Sequence, residues 1–206
     1  MARRTQADRS ESTTGEIVDA AITLFGRDGY PAVSIDGIAR AAGVTKGAVY
    51  HHFDGKTALL RAAFLHQEQR RARLLHQAAA GSPDALAAVR AGCAAFLRSC
   101  LDPAVRRILL LDGPAVLGWE EVREIEAEHS VALLRRGLGA AVDEGRLRPG
   151  DLDIRTHLLL GALCEAGMLL ARAADPEAAL AGVTREVDAL LDAFAGRRGR
   201  DPAGSR

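Results

Sequence analysis

Aromatic residues are scarce in this chain. They make up 4% of its 206 residues, whereas Ala, Leu, Arg and Glu are abundant. Aromatic and β-branched side chains favour strands and the abundant residues favour helices, so the composition predicts an all-α protein. The apolar share of 48% is large enough to form a sizeable core.

Cysteine is rare as well. The three cysteines, Cys93, Cys100 and Cys164, are odd in number and do not have the spacing of a zinc site. Cys93 and Cys100 lie two helical turns apart, which is too far for an ordinary disulfide. We interpret all three as reduced thiols of a cytoplasmic protein. A thiol sensor acting through Cys164 is conceivable, but no motif supports it.

Long apolar runs are missing. The longest, Leu158–Cys164, is followed by Glu165 and is too short to span a bilayer. Residues 1–14 are polar and carry charges of both signs, unlike a secretory signal. We therefore expect a cytoplasmic protein with no membrane partner.

Net charge is also absent. The chain has 27 basic and 27 acidic residues, so bulk electrostatics give no argument for a nucleic-acid partner. Residues 1–73 hold 11 Lys and Arg against 8 Asp and Glu, a net charge of +3. This small asymmetry has the sign expected of an N-terminal nucleic-acid-binding module.

No catalytic motif is recognisable, whether a metal motif, a phosphate loop or a nucleophile beside a base. We expect no catalytic residue, no cofactor and no metal. His129 with Glu126 and Glu128 is the nearest approach to a metal site, but residues 120–128 are more simply a solvated acidic face. Residues that converge only after folding would escape this search, so an all-helical enzyme or carrier stays as an alternative.

Apolar residues recur at helical spacing in about nine segments. The predicted helices are 14–28, a second capped by Ser34, a third capped by Thr45, 56–80, 83–101 capped by Ser82, 102 to about 113, 119–144, 152–174 and 176–194. Residues 67–73 are almost wholly polar, which indicates an exposed connector. The predicted organisation is a flexible arm (1–13), a small N-terminal domain (14–55), a larger C-terminal domain (56–195) and a disordered tail (196–206).

The stretch from Val33 to Phe53 predicts two short helices joined by a tight turn. Gly43 suits the turn, since a left-handed conformation costs glycine little. Thr45 can cap the second helix, and Val49 and Phe53 give that helix an apolar stripe. The exposed residues between them carry hydrogen-bond donors and one firm positive charge. This is the kind of helix face that enters a DNA major groove.

The same stretch resembles the N-terminal signature of the TetR (tetracycline-repressor) family of bacterial transcription regulators. The matching positions are Ser34, Ile35, Ile38, Ala39, Gly43, Val44, Lys46, Gly47, Val49, Tyr50, His52, Phe53 and Lys56. Ala21, Leu24, Phe25, Gly29 and Tyr30 fit the preceding helix. The resemblance covers residues 14–64; beyond them it is one of architecture only.

The resemblance implies a homodimer that binds a near-palindromic operator in double-stranded DNA. Residues 14–55 would then be the DNA-binding domain, and residues 56–195 the ligand-binding and dimerisation domain. A small-molecule effector would bind within each C-terminal bundle, and the last two helices would form the dimer interface. The penultimate helix is apolar nearly all round, which fits an interface but equally fits a helix buried in its own subunit. A regulator of the same fold without an effector is the alternative, which a filled core would favour.

For DNA binding the resemblance and the helix geometry indicate nine residues. Thr45 and Lys46 are candidates for base edges, Ala48 for a thymine methyl, and Gly47 permits close backbone approach. Phosphate contacts are predicted for Ser34, Tyr50, His51, His52 and Lys56. Ser34 is at the same time an N-cap, and His52 fits a packed helix-end histidine equally well.

For the effector, the predicted pocket is drawn from the apolar positions of the C-terminal bundle. Its polar candidates are Trp119, His129, His157 and Glu165, each of which fits an ordinary structural role better. The full predicted set is Phe96, Cys100, Leu110, Trp119, Val122, His129, Leu133, His157, Leu160, Cys164 and Met168.

Overall fold

The computed structural model describes residues 6–195, with side chains from residue 10 onward. Over that range the chain is helical without strands, which confirms the all-α prediction. The helices are α1 (Gln6–Asp28), α2 (Ile35–Ala41), α3 (Lys46–His52), α4 (Lys56–Ala79), α5 (Ala85–Ser99), α6 (Pro103–Val105), a π-helical segment (Arg106–Asp112), α7 (Gly113–Leu117), α8 (Trp119–Glu128), α9 (Ser130–Asp143), α10 (Leu152–Arg172) and α11 (Pro176–Ala195).

Helix α1 begins earlier than the sequence pattern predicts. It starts at Gln6 rather than at Thr14, so the part of the predicted flexible arm within the described range is helical. Local bonds support this turn: Thr14 donates to the carbonyl of Ser10, and Ser12 donates to Glu16. The predicted tail at 196–206 and the first five residues of the arm lie outside the described residues.

Helix α5 has a different cap from the predicted one. Its first turn is capped by Asp84, whose Oδ1 accepts the amide of Ala87 at 2.8 Å, and the helix starts at Ala85. Ser82 precedes this cap. A carboxylate is an N-cap as good as a hydroxyl, and pattern alone did not separate the two.

Two further helix boundaries differ from prediction. The helix expected to end near Gly113 continues through the π-helical segment into α7, where Pro114 lies in the first turn. The single helix predicted over 119–144 is broken at His129, whose φ of −122° and ψ of −99° are not helical. No glycine or proline marks this break, so the sequence carries no signal for it.

The polar stretch of α4 is not an exposed connector, contrary to the prediction. Gln67, Glu68 and Arg71 are each at most 2% exposed. Arg71 forms an ion pair with Glu68 and lies 3.7 Å from the carboxylate of Glu126 on α8. Burial of a charge needs a partner, and here one of the partners comes from a distant helix.

The chain forms two compact units. The first contains residues up to Arg71 together with Ser99–His129, and the second contains Ala72–Arg98 and the residues from Ser130 onward. The first unit has a core built by α1 to α4 and the 105–125 stretch, including Ile17, Phe25, Ile38, Val49 and Phe64. These structural units differ from the predicted functional domains, DNA binding up to residue 55 and ligand binding and dimerisation beyond it, which stay a prediction.

Helix α10 belongs to the second unit and packs beside α9 and α11. By length and composition it is the one described helix able to cross a membrane, and 39% of its most apolar window is buried. Core helices of globular proteins pass the same test. Three large apolar residues of α10, Ile154, Leu158 and Leu169, are exposed to solvent.

Candidate nucleic-acid interface and internal cavity

Helix α2 ends in a Schellman motif that sets the direction of α3. Gly43 is left-handed, with φ of +68°, and a Cβ there would meet no atom within 4 Å. The amide of Val44 donates to Ala39 at 3.0 Å and that of Gly43 to Arg40 at 3.2 Å. These two bonds satisfy the carbonyls at the end of α2, so the turn is fixed by backbone geometry.

Helix α3 starts at the predicted cap. The Oγ1 of Thr45 accepts the amide of Ala48 at 3.1 Å. Val49 is fully buried beneath α3, against Ile38 and Ala39 of α2 in the same core. The remaining outward side of α3, which we call the α3 face, consists of Thr45, Lys46, Gly47, Tyr50 and His51, all exposed.

The only firm charge of the α3 face is already paired. Lys46 Nζ lies 3.1 Å from the carboxylate of Asp36 on α2, and both side chains are about half exposed. An exposed pair of this kind contributes little to stability, so the ammonium can exchange its carboxylate for a stronger acceptor. The α3 face itself contains no carboxylate, but Asp36 of the neighbouring helix α2 lies beside it.

Ser34 occupies the same position on α2 that Thr45 has on α3. Its Oγ accepts the amide of Gly37 at 3.1 Å, and the residue is exposed. The hydroxyl hydrogen takes no part in that bond and is suited to a phosphate oxygen. The N-cap role is thus observed, and the phosphate contact stays a prediction.

Two of the predicted phosphate contacts have internal partners. Lys56 donates to the carbonyls of Tyr30 and Val33 at 2.9 and 3.0 Å and lies over the Tyr30 ring. His52 is half-buried, with Nδ1 3.2 Å from Thr14 Oγ1 on α1. His52 joins α3 to α1, and Lys56 joins the start of α4 to the α1–α2 loop, while the phosphate contacts of both stay predictions.

Arg40 is a residue that the sequence prediction did not include. It is exposed on α2 and lines a shallow groove together with Ser34 and Gly37. Its guanidinium adds a positive charge beside Ser34 without a carboxylate partner among the described residues. The sequence does carry a signal for it, since Arg40 is a basic residue off the apolar stripe of α2.

The second compact unit contains a cavity of about 290 Å³. It lies between α9, α10, α5 and the end of α4 and is partly open to solvent. The lining residues are Leu75, Ala79, Ala88, Val89, Gly92, Cys93, Phe96, Ser130, Leu133, Leu134, Arg136, Gly137, Leu160 and Leu163.

Three of the predicted effector residues, Phe96, Leu133 and Leu160, line this cavity. Five others belong to the first compact unit: Cys100, Leu110, Trp119, Val122 and His129. His157 is exposed and bonded to the carbonyl of Asp153, and Cys164 and Met168 lie on α10 outside the lining. The sequence prediction did not include four small residues that line the cavity, because small side chains do not stand out in a pattern of large apolar residues. They are Ala79, Ala88, Gly92 and Gly137.

The chain matches two family models. Residues 17–63 match "Bacterial regulatory proteins, tetR family", and residues 86–194 match "Tetracyclin repressor-like, C-terminal domain". Together these models cover the α2–α3 region and nearly all of α5, α9 and α10, three of the four helices that line the cavity.

Individual proteins agree with the family models. The Transposon Tn10 TetC protein of Escherichia coli is 30% identical over 160 residues, covering 76% of this chain and 79% of that protein. The HTH-type transcriptional regulator SrpR of Pseudomonas putida is 33% identical over 159 residues, 77% and 73% of the two chains. A TetR-family regulator from Pectobacterium atrosepticum superposes with a TM-score of 0.78 at 28% identity, over 94% of this chain and 99% of the other. With its two-helix motif, its cavity and these relatives, the chain belongs to the TetR family of DNA-binding transcriptional regulators.

Proposed function

We propose that the protein is a dimeric repressor that leaves a near-palindromic operator when a small molecule enters the cavity of its second compact unit. The observation that carries this proposal is the pairing, in one chain, of a capped, donor-bearing α3 face with an internal cavity of about 290 Å³. The first feature suits DNA, and the second suits an effector.

In this proposal Thr45 and Lys46 contact base edges, while Gly47 and Ala48 let the backbone and a methyl group come close to the groove. Ser34, Tyr50, His51 and Arg40 contact phosphates, which set the register of α3 on the duplex. His52 and Lys56 act indirectly, because their polar atoms hold α1, α3 and the intervening loop together.

The dimer is proposed from an exposed apolar stripe. Ile154, Leu158 and Leu169 recur along one side of α10 and are each more than half exposed, and Leu190 of α11 is 45% exposed. Gly161 lies on the same side and leaves room for close approach. A monomer seldom exposes so many large apolar side chains in one row, so a second copy of the same surface is the expected cover.

A regulator without an effector is the second candidate. A filled bundle core would have favoured it, whereas the observed cavity supports the effector-responsive form. An enzymatic role has no support: the relatives SrpR and the Pectobacterium protein carry regulator names, and we propose a non-enzymatic protein that acts in the cytoplasm.

Selection of bound sequences from a random DNA pool tests the proposal. The purified full-length protein should enrich a single near-palindromic motif, and the complex should contain two chains by sedimentation. Enrichment of no motif, or of a motif without two-fold symmetry, would contradict the proposed operator.

A further inference from the structure

The cavity of the second unit is apolar on nearly every side. Its walls are Leu, Val, Phe, Ala and Gly side chains and backbone from four helices. Three polar side chains reach it: Cys93, Ser130 and Arg136. The character of these three decides which molecules can enter.

Cys93 contributes no charge. The thiol is 4% exposed, and burial, followed by the nearby carboxylate of Asp188, raises the pKa of Cys93 to about 12. It is therefore protonated at neutral pH and behaves as a small apolar group. A protonated thiol is also a poor nucleophile, which argues against a thiol-sensing role for this residue.

Ser130 and Arg136 differ in depth. Ser130 is 5% exposed at the start of α9 and offers one neutral hydroxyl. Arg136 is exposed, so its guanidinium stays hydrated at the rim. No cation is available in the interior to balance an anion, and no carboxylate lines the cavity to balance a cation. A charged group placed inside would lose its hydration without compensation.

The volume sets the size of the occupant. An engineered apolar cavity of about 150 Å³ holds one benzene molecule. The present cavity, at about 290 Å³, is about twice as large and thus holds about two fused rings or an alkyl chain of similar volume. Four-ring compounds and long acyl chains would extend beyond it.

Gly92 creates part of this space. A Cβ at Gly92 would meet no atom within 4 Å, although the residue lies in the cavity wall on α5. Gly137 differs, since a Cβ there would lie 2.9 Å from Val89. Gly137 lets α5 and α9 approach each other, whereas Gly92 leaves a volume open.

We propose that the cavity binds one uncharged, mainly apolar molecule of about two-ring size, whose single polar group faces Ser130. The inference rests on the proposed function and deepens it, because it names the chemical class of the effector. Binding at the cavity can nevertheless be measured without DNA, so the two proposals can fail separately.

Isothermal calorimetry with 2-naphthol and 2-naphthoate on the full-length protein tests the inference. The two probes share a ring system, and at neutral pH only the second is charged. We expect 2-naphthol to bind, and 2-naphthoate to bind at least about tenfold more weakly, since an unpaired buried charge costs more than one decade of affinity. Equal or tighter binding of 2-naphthoate, lost in Arg136→Gln, would overturn the proposal in favour of an amphiphilic anion.

Gly92→Leu locates the binding site. The added side chain occupies the cavity, so affinity for 2-naphthol should fall at least about tenfold, while the far-ultraviolet circular dichroism spectrum stays unchanged. Gly15→Leu is the matched control, because Gly15 also lies in open space on a helix but in the first compact unit. Unchanged affinity in a folded Gly92→Leu protein would overturn the assignment. If that variant fails to fold, the comparison of the two naphthyl probes on the unaltered chain still decides the ligand class.

Discussion

Lys46 and Lys56 are ten residues apart and have the same charge, but the fold uses them differently. Lys46 stands on the α3 face in an exposed pair with Asp36. Lys56 donates two hydrogen bonds, to the carbonyls of Tyr30 and Val33. The first ammonium is available to DNA by exchange of a weak partner, while the second closes the loop between α1 and α2.

Substitution of each lysine by methionine separates these roles. Lys46→Met should weaken operator binding by about 1–3 kcal/mol and relax one base preference. It should leave the free energy of unfolding within about 0.5 kcal/mol, because an exposed ion pair stabilises little. Lys56→Met should lower the free energy of unfolding by about 1–3 kcal/mol, since two carbonyls lose a charged donor. Fluorescence anisotropy and urea denaturation measure the two effects.

Random DNA is the control for this comparison. Lys56→Met should weaken operator and random DNA alike, whereas Lys46→Met should affect the operator more. The division of roles is wrong when Lys46→Met loses the same binding free energy on both DNAs.

At the scale of elements, α2, its turn and α3 form a unit that contains two glycines with different roles. Gly43 is left-handed and ends α2. Gly47 lies inside α3, and a Cβ there would have only Thr45 Oγ1 nearby, at 3.8 Å. Gly43 permits the left-handed turn. Gly47, which has no side chain, allows DNA to approach the backbone of α3 closely in the proposed complex.

Alanine at each glycine should therefore give opposite results. Gly43→Ala should destabilise the protein by about 1–2 kcal/mol, the cost of a left-handed alanine. Gly47→Ala should stabilise it by up to about 1 kcal/mol through helix propensity, yet weaken operator binding. Thermal unfolding and anisotropy give both quantities, and a Gly47→Ala protein with full operator affinity would remove Gly47 from the proposed interface.

These elements also show what the sequence could and could not predict. The Ser34 and Thr45 caps and the Gly43 turn were predictable, because each depends on residues within one turn of the chain. The burial of Glu68 and Arg71 was not, because it depends on Glu126, 55 or more positions away. The break at His129 lacks a local signal, and the cavity is lined by residues from four helices that only the fold brings together.

The buried cluster of Arg71, Glu68 and Glu126 links α4 to α8 and responds to pH. Burial raises the pKa of Glu126 above its ordinary 4.5, and Arg71 opposes this shift. A carboxyl with a raised folded-state pKa contributes stability that is fully present below the unfolded value and is lost as pH rises through the folded value. Glu126 should therefore lower the free energy of unfolding progressively as pH increases above 4.5.

Glu126→Gln tests this sign. The free energy of unfolding of the variant, relative to the unaltered protein, should rise between about pH 4 and pH 7, since glutamine cannot ionise. Urea denaturation at several pH values measures the difference. Glu120→Gln, an exposed position on the same helix, is the control and should show no such slope. Glu126 also pairs with Arg123, at 2.9 Å. A difference that falls with pH would show that Arg71 and Arg123, rather than burial, dominate at Glu126.

At the scale of the whole molecule, the proposed operator symmetry requires two chains. The apolar stripe on α10 is the surface that would join them, and Leu158, 62% exposed, lies within it. Each chain has one α3 face and a net charge of zero, so a single copy has little to hold it on DNA. Two copies of the face, held at fixed spacing, replace bulk charge as the source of affinity.

Leu158→Arg should convert the dimer to a monomer, because a guanidinium would be buried opposite its own copy. Sedimentation velocity should give one chain per particle, with an unchanged far-ultraviolet spectrum and operator affinity reduced by at least about 2 kcal/mol. Leu111→Arg, an exposed leucine in the π-helical segment of the other unit, is the matched control and should remain dimeric. A dimeric Leu158→Arg protein would exclude this stripe as the interface.

The length of the π-helical segment determines whether its last residue reaches the α1–α2 loop. After the seven residues Arg106–Asp112, the carboxylate of Asp112 accepts the amide of Tyr30 at 2.8 Å. Gly113 follows against Phe64, where a Cβ would lie 2.5 Å from the ring. Deleting one residue from this segment would rotate every later side chain by about 100° about the helix axis, removing both contacts without altering either partner. Related chains that lengthen or shorten this segment must therefore hold the start of their DNA-binding helices by other means.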